Sequence, residues 1–120
     1  MIQGRFGNNG ELLFEIDLIN TDNLVLPVNA LLDTGFTGWL AINSQNLQGL
    51  NWPFVGKRAM QTAKGEAVFN IHKGKITLAE QEYEIPVSVG QEIQEILLGL
   101  QWLKLHRLVS DFSSNRLTLG

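Results

Sequence analysis

Asp33 is the residue in this sequence whose setting most favours chemistry. Within residues 30–40, an apolar run leads to this single carboxylate, small residues follow it, and a second apolar run leads away. A carboxylate between buried strands is costly unless it is paired and hydrogen-bonded, so a functional site explains the position better than packing does. The alternative is a structural turn, because an Asp followed closely by a glycine is common in turns.

A second apolar segment, which also reaches a glycine, lies near the C-terminus. Residues 96–100 read Ile-Leu-Leu-Gly-Leu. The presence of this segment in addition to the Asp33 segment favours a functional interpretation of Asp33. The sequence has no cysteine, which excludes disulfides, thiolate catalysis and cysteine-ligated metal sites. His72 and His106 are far apart and lack the spacing of metal ligands. Asp111 lacks a following glycine, and we expect it in a turn or a surface network.

Length and composition predict one globular domain that spans residues 1–120. The chain has 120 residues, of which 44% are hydrophobic and 18% are charged, as is usual for a globular domain. Its net charge is −3 and its basic residues are not clustered, which argues against nucleic-acid and membrane partners. The apolar stretches are short and no leader pattern is visible, so we expect a cytoplasmic protein.

The positioning elements are expected to be short strands. Alternating and apolar runs separated by turn residues are typical of an all-β sandwich or barrel. The expected strands cover residues 11–19, 24–32, 39–42, 54–62, 66–71, 75–79, 83–89, 96–99, 107–112 and 115–119. Pro27 predicts an edge or a bulge in its strand, and Lys73-Gly74 predicts a break. A short helical piece is expected up to Leu50, with Asn43 or Ser44 as its cap, and the main helix over residues 100–106.

Several of these segments together resemble a known family. Residues 31–35, Leu-Leu-Asp-Thr-Gly, resemble the active-site motif of aspartic proteases. Residues 96–103 resemble the hydrophobic-Gly element and helix that close the same fold, and the two terminal strands resemble the usual ending. From about Leu24 to Leu119 the chain is therefore similar to the retropepsins, the retroviral-type aspartic proteases, and to their single-domain bacterial relatives. The resemblance implies an acid-protease fold, which is a closed barrel with one short C-terminal helix that forms a two-fold dimer.

The function that the resemblance implies is hydrolysis of peptide bonds by an aspartic endopeptidase. Two neighbouring carboxylates share one proton, so one activates a water while the other protonates the peptide carbonyl. The chain has one Asp33 and no second Asp-Thr-Gly or Asp-Ser-Gly. By counting, the enzyme is then a homodimer with one Asp33 from each subunit. No cofactor is implied, and the expected partners are a peptide or protein substrate and a second copy.

The resemblance also implies supporting roles around Asp33. Thr34 would reach across the two-fold axis, and Gly35 would leave its N–H free to approach the carboxylate. A hairpin lies where the family has its flap, which closes over the substrate and excludes water. An extended peptide would pair with the flap and cleft strands by backbone hydrogen bonds. The expected flap residues are Thr62, Ala63, Lys64 and Gly65.

Phe36 departs from the family, which most often has Ala or Ser after the glycine. Phe offers no hydroxyl to the carboxylate, so we expect activity at mildly acidic pH rather than at strongly acidic pH. The hairpin also carries polar residues in place of a glycine-rich tip. These two departures leave open an alternative function, in which a non-catalytic dimeric β-module of the same fold binds extended peptides.

Overall fold

The structure, a computed structural model, describes residues 1–62 and 64–120. In this part of the chain almost all regular structure is β-strand, with one short 3₁₀ helix over Leu100–Lys104. The strands are β1 (Ile2–Gln3), β2 (Arg5–Phe6), β3 (Leu12–Ile19), β4 (Val25–Leu32), β5 (Leu40–Asn43), β6 (Phe54–Thr62), β7 (Gly65–Leu78), β8 (Gln81–Gly90), β9 (Leu97–Leu98), β10 (Leu108–Asp111) and β11 (Arg116–Leu119).

Six strands form a closed barrel in the order β3-β4-β9-β5-β8-β7. The ring closes because β7 pairs back onto β3, from Asp17 opposite Thr77 to Ile19 opposite Lys75. Strand β2 pairs with β3, and β6 pairs with β7 and ends the sheet on that side. The prediction of a closed all-β barrel is confirmed.

Alternation in the sequence places the core inside this ring. In β3, Phe14, Ile16 and Leu18 are buried while Glu15 between them is exposed. The buried residues of the barrel strands pack together with Trp102 of the 3₁₀ helix, whose indole N–H donates to the Trp39 carbonyl at 2.6 Å. In β3, one face therefore supplies the core, as a period of two requires.

Pro27 lies on a free stretch of β4, as its missing N–H predicts. Strand β4 pairs with β3 from Val25 to Leu31 but with β9 only at Leu31 and Leu32. The other edge of β4 at Pro27 therefore needs no ladder hydrogen bond from this residue.

The predicted break at Lys73-Gly74 is wrong. Strand β7 continues through both residues, and Gly74 pairs with Ile85 of β8. A Cβ on residue 74 would lie 2.5 Å from Val87 and 2.9 Å from the ring of Trp52. The glycine therefore makes room for a tryptophan against a strand, and it does not form a turn.

The predicted helical piece before Leu50 is also wrong. Residues 44–50 form successive turns, in which Leu47 N donates to the Ser44 carbonyl at 3.3 Å. The C-terminal helix is confirmed, but it is a 3₁₀ helix that ends at Lys104, earlier than expected.

The chain ends form a separate small sheet in the order β1-β11-β10. Ile2 lies opposite Leu119, so the first and last strands pair within one chain. In the described residues, no helix has the length and apolar character that crossing a membrane requires.

Candidate active site

Asp33 directly follows β4, at the point where β9 lies between two other strands. Leu32 pairs with Leu98 in parallel, and Leu40 of β5 pairs with the same Leu98 in the antiparallel sense. The Asp33 N–H donates to the Leu98 carbonyl at 2.9 Å. The two apolar segments that the sequence analysis singled out are therefore neighbours, and together they fix the backbone at Asp33.

The turn after Asp33 holds one of its carboxylate oxygens. The Gly35 N–H donates to Asp33 Oδ1 at 2.9 Å, and the Phe36 N–H donates to the Asp33 carbonyl at 3.2 Å. Asp33 is half-buried, and Oδ2 accepts no hydrogen bond from the described residues. One oxygen is thus positioned by the backbone while the other is open to a ligand or a second carboxyl group.

The Thr34 side chain faces away from the rest of its own chain. Its side chain is exposed, and its hydroxyl makes no hydrogen bond to any residue that the structure describes. Thr34 therefore plays no evident part in holding its own chain together.

Phe36 is a core residue. Its side chain is fully buried in a second apolar cluster with Ala41, Phe69, Ile71 and Ile93. The ring lies against two glycines, since a Cβ on Gly38 or on Gly99 would come within 2.7 Å of it. The bulk of Phe36, in place of a small residue, is accommodated by these glycines.

The hairpin between β6 and β7 has a polar tip. Thr62 Oγ1 donates to the Gly65 carbonyl at 2.7 Å and accepts from the Lys64 N–H at 3.2 Å. Gly65 has a φ of +106°, a conformation that favours glycine. Ala63, the remaining predicted flap residue, lies outside the described residues.

The hairpin is bonded directly to the loop that carries Asp33. The Thr37 N–H donates to the Gln61 carbonyl at 3.1 Å, one residue before Thr62. Further along β6, the Ser88 hydroxyl donates to the Met60 sulfur at 2.9 Å. The loop and the hairpin therefore meet as one unit at this side of the barrel.

A cleft of about 440 Å³ lies between the Asp33 loop and the hairpin. Of the predicted site residues it brings together Asp33, Thr62, Lys64 and Gly65, while Thr34 and Gly35 do not line it. Its other lining residues are Phe36, Glu66, Ala67, Phe69, Glu92, Ile93, Gln94, Glu95 and Leu97.

Sequence reasoning missed the wall that residues 92–95 form. This stretch reads as a polar loop, and its signal was the single apolar Ile93 among glutamates and glutamines. Ile93 is buried in the same cluster as Phe36, so it anchors the loop beside Asp33. Asp111 does not line the cleft. It is exposed, and hydrogen bonds from Ser113 and Ser114 hold its pKa below its usual range.

The barrel is similar to a solved structure of a retropepsin-like aspartic protease from Rickettsia conorii. The TM-score is 0.64, and the match covers 98% of this chain and 88% of that chain at 17% sequence identity. No family model and no curated protein matches the sequence. At this identity the similarity shows the fold, and this chain therefore has a retropepsin-like fold.

Proposed function

We propose that this protein is an aspartic endopeptidase that works as a homodimer. The observation that carries the proposal is the position of Asp33, which lines a cleft beneath a hairpin on a retropepsin-like fold. A carboxylate held by one backbone N–H, with its other oxygen open, suits a group that must bind a water and exchange a proton.

The dimer is needed because one chain supplies one Asp33. Two carboxyl groups that meet at a two-fold axis share a single proton, which makes one a base and the other an acid. Thr34 supports this assembly, since its hydroxyl is exposed and without an intrachain partner among the described residues. In a dimer it would bond to the partner subunit beside the paired carboxyl groups.

Peptide hydrolysis then follows with its protons balanced. The ionised Asp33 takes a proton from the bound water as the water oxygen attacks the peptide carbonyl carbon. The protonated Asp33 of the other subunit donates its proton to the carbonyl oxygen. The tetrahedral gem-diol then collapses as the C–N bond breaks. The Asp33 that took the water proton donates it to the leaving amine nitrogen, and the other Asp33 regains its proton from a gem-diol hydroxyl. The hairpin covers the cleft and limits access of further water.

The test compares Asp33→Asn with Asp22→Asn on an unbiased peptide library, read by mass spectrometry between about pH 4 and pH 7. Asn keeps an oxygen for the Gly35 N–H but cannot act as acid or base, so we expect cleavage to fall by at least about a thousandfold. Asp22 is exposed in a turn outside the cleft, and its variant should cleave normally. Cleavage that persists in Asp33→Asn would refute the assignment.

The second candidate is a peptide-binding module without catalysis. It is favoured by β6, which ends the barrel sheet and therefore presents an edge to which an extended peptide could add as a strand. Peptide binding that is equal in wild type and Asp33→Asn, with no cleavage by either, would support this candidate over the protease.

A further inference from the structure

The cleft beside Asp33 combines an apolar floor with an acidic rim. Phe36, Phe69 and Ile93 are buried at its base. Glu66 from β7 and the pair Glu92 and Glu95 from the facing loop are exposed around it. Counting Asp33, four carboxylates line the cleft, and Lys64 is its one described cation.

The rim glutamates are not neutralised by the described part of the chain. The ion pairs among the described residues are Lys73–Glu84 and Lys75–Glu82, and both lie outside the cleft. None of the three rim glutamates takes part in a side-chain hydrogen bond with a described residue. Their negative charge is therefore available to a ligand.

The loop that carries Glu92 and Glu95 is held in place. The Asn43 side-chain amide donates to the Gln91 carbonyl at 3.1 Å and to the Ile93 carbonyl at 2.8 Å. Ile93 is also buried in the cluster beneath. These bonds flank Glu92, and the Leu31 N–H donates to the Ile96 carbonyl at 2.8 Å, which holds the backbone directly after Glu95.

The acidic groups are spread around the cleft. Among the described residues, no three acidic, histidine or cysteine side chains lie close enough together to hold one metal ion. Separate carboxylates suit several cationic groups on one extended ligand. Lys and Arg side chains fit both parts of the cleft, because their apolar stems pack on a floor while their charged heads reach a rim.

We propose that this cleft selects peptides that carry Lys or Arg beside an apolar residue, with Glu66, Glu92 and Glu95 as specificity-determining residues. The inference rests on the proposed function, because it takes the cleft beside Asp33 as the peptide site. It deepens that function by naming the class of substrate.

The experiment measures binding, so that it does not depend on catalysis. Three fluorescent peptides share one central apolar sequence and differ only in flanking residues, which are Lys, Gln or Glu. The affinity of each peptide for the Asp33→Asn variant is measured by fluorescence anisotropy. Cleavage of the same peptides by the chain with Asp33 intact is measured in parallel. We expect the affinity order Lys above Gln above Glu, and the preference should shrink at about 1 M salt, where charges are screened.

The matched variants change the same charge at two places. Glu92→Gln with Glu95→Gln removes two rim carboxylates, and Glu15→Gln with Glu80→Gln removes two exposed carboxylates outside the cleft. Each exposed ion pair contributes modestly, so we expect the rim variant to lose roughly two- to tenfold in affinity for the Lys peptide. The control variant should retain the preference.

The outcomes separate this inference from the protease proposal. Equal binding of the three peptides, or equal losses in the rim and control variants, would overturn the inference even if Asp33-dependent cleavage occurs. Selective binding of the Lys peptide without cleavage would support the cationic preference and refute the protease. Failure of all three peptides to bind would overturn the inference as well.

Discussion

Gly99 lies against the ring of Phe36, so closely that a Cβ on residue 99 would be 2.7 Å from the ring atom Cδ2. Gly99 follows β9 and Phe36 follows the turn of Asp33, and the Leu100 N–H donates to the Phe36 carbonyl at 2.8 Å. A Cβ on residue 99 would come closer still to the Gly38 carbonyl, so this glycine makes room both for that backbone and for the residue that departs from the family pattern. Phe36 supports the site from within the core.

Replacing Phe36 by Ala should therefore destabilise the fold. The change leaves a cavity in the second apolar cluster, and we expect a loss of about 3–5 kcal/mol in the free energy of unfolding. Phe54→Ala is the control, because Phe54 is 57% exposed, and it should cost less than about 1 kcal/mol. Urea denaturation at one fixed protein concentration compares the two. Similar losses would show that Phe36 does not have the core role described here.

Thr34→Ala should weaken the proposed dimer and leave the barrel intact. The exposed hydroxyl has no described intrachain partner, so its loss matters only at a contact with a second chain. Two symmetry-related hydrogen bonds at about 1–1.5 kcal/mol each predict a 30- to 150-fold rise in the dimer dissociation constant. Analytical ultracentrifugation measures this constant, with the exposed Thr21→Ala as control. An unchanged dissociation constant would show that Thr34 makes no contact that stabilises the dimer.

The turn between β7 and β8 should accept a more favourable pair of residues. Ala79 and Glu80 have φ values of +52° and +70°, the left-handed conformation that a two-residue hairpin turn requires and that non-glycine residues adopt at a cost. Replacing them by Asn and Gly should raise the free energy of unfolding by about 1–2 kcal/mol. Thermal denaturation at fixed concentration provides the check. A lower midpoint would indicate that contacts of Ala79 outweigh the strain.

The structure also predicts a pH dependence of stability at His106. Burial, and secondarily the positive N-terminus at Met1, lower the pKa of His106 from its ordinary value of 6.5. The unfolded chain therefore binds this proton more readily than the folded chain does. The His106 contribution is complete above about pH 6.5 and is lost as the pH falls through that value toward the lowered pKa.

Urea midpoints at about pH 7.5 and pH 5 test this dependence. His106→Gln should show a smaller fall between the two pH values than wild type does. Asp111 does not interfere, because its lowered pKa affects stability only in more acidic solution. Equal falls in wild type and His106→Gln would contradict the assignment.

The sequence predicted the parts of the site that follow from runs of apolar residues. The run into Asp33, the Leu-Leu-Gly segment and the hairpin at residues 54–71 all have local signals, and local patterns also predicted a barrel. The meeting of the first two at Leu98 depends on a pairing between distant segments. The resemblance identified residues 96–103 as an element of the same fold, but neither it nor any local pattern predicted the strands with which this segment pairs.

The misses share a physical cause. Gly74 has the sequence signature of a break in a strand. Its lack of a side chain instead leaves space for Trp52 and Val87, which are distant in sequence. Residues 92–95 read as an ordinary loop because the contacts that fix them, from Asn43 and from the cluster around Phe36, are also distant. Tertiary contacts determine the conformation at both positions, and such contacts cannot be predicted from local propensity.

The hydrogen bond between Asp33 and Leu98 has a consequence for the order of events during folding. Strand β9 completes both β4 and β5, so a growing chain that ends before residue 98 cannot fix the Asp33 backbone. Contacts this distant in sequence also form slowly, because a long loop must close first. The candidate site would therefore remain unassembled until residue 98 has been synthesised, and a shorter nascent chain would lack a competent cleft.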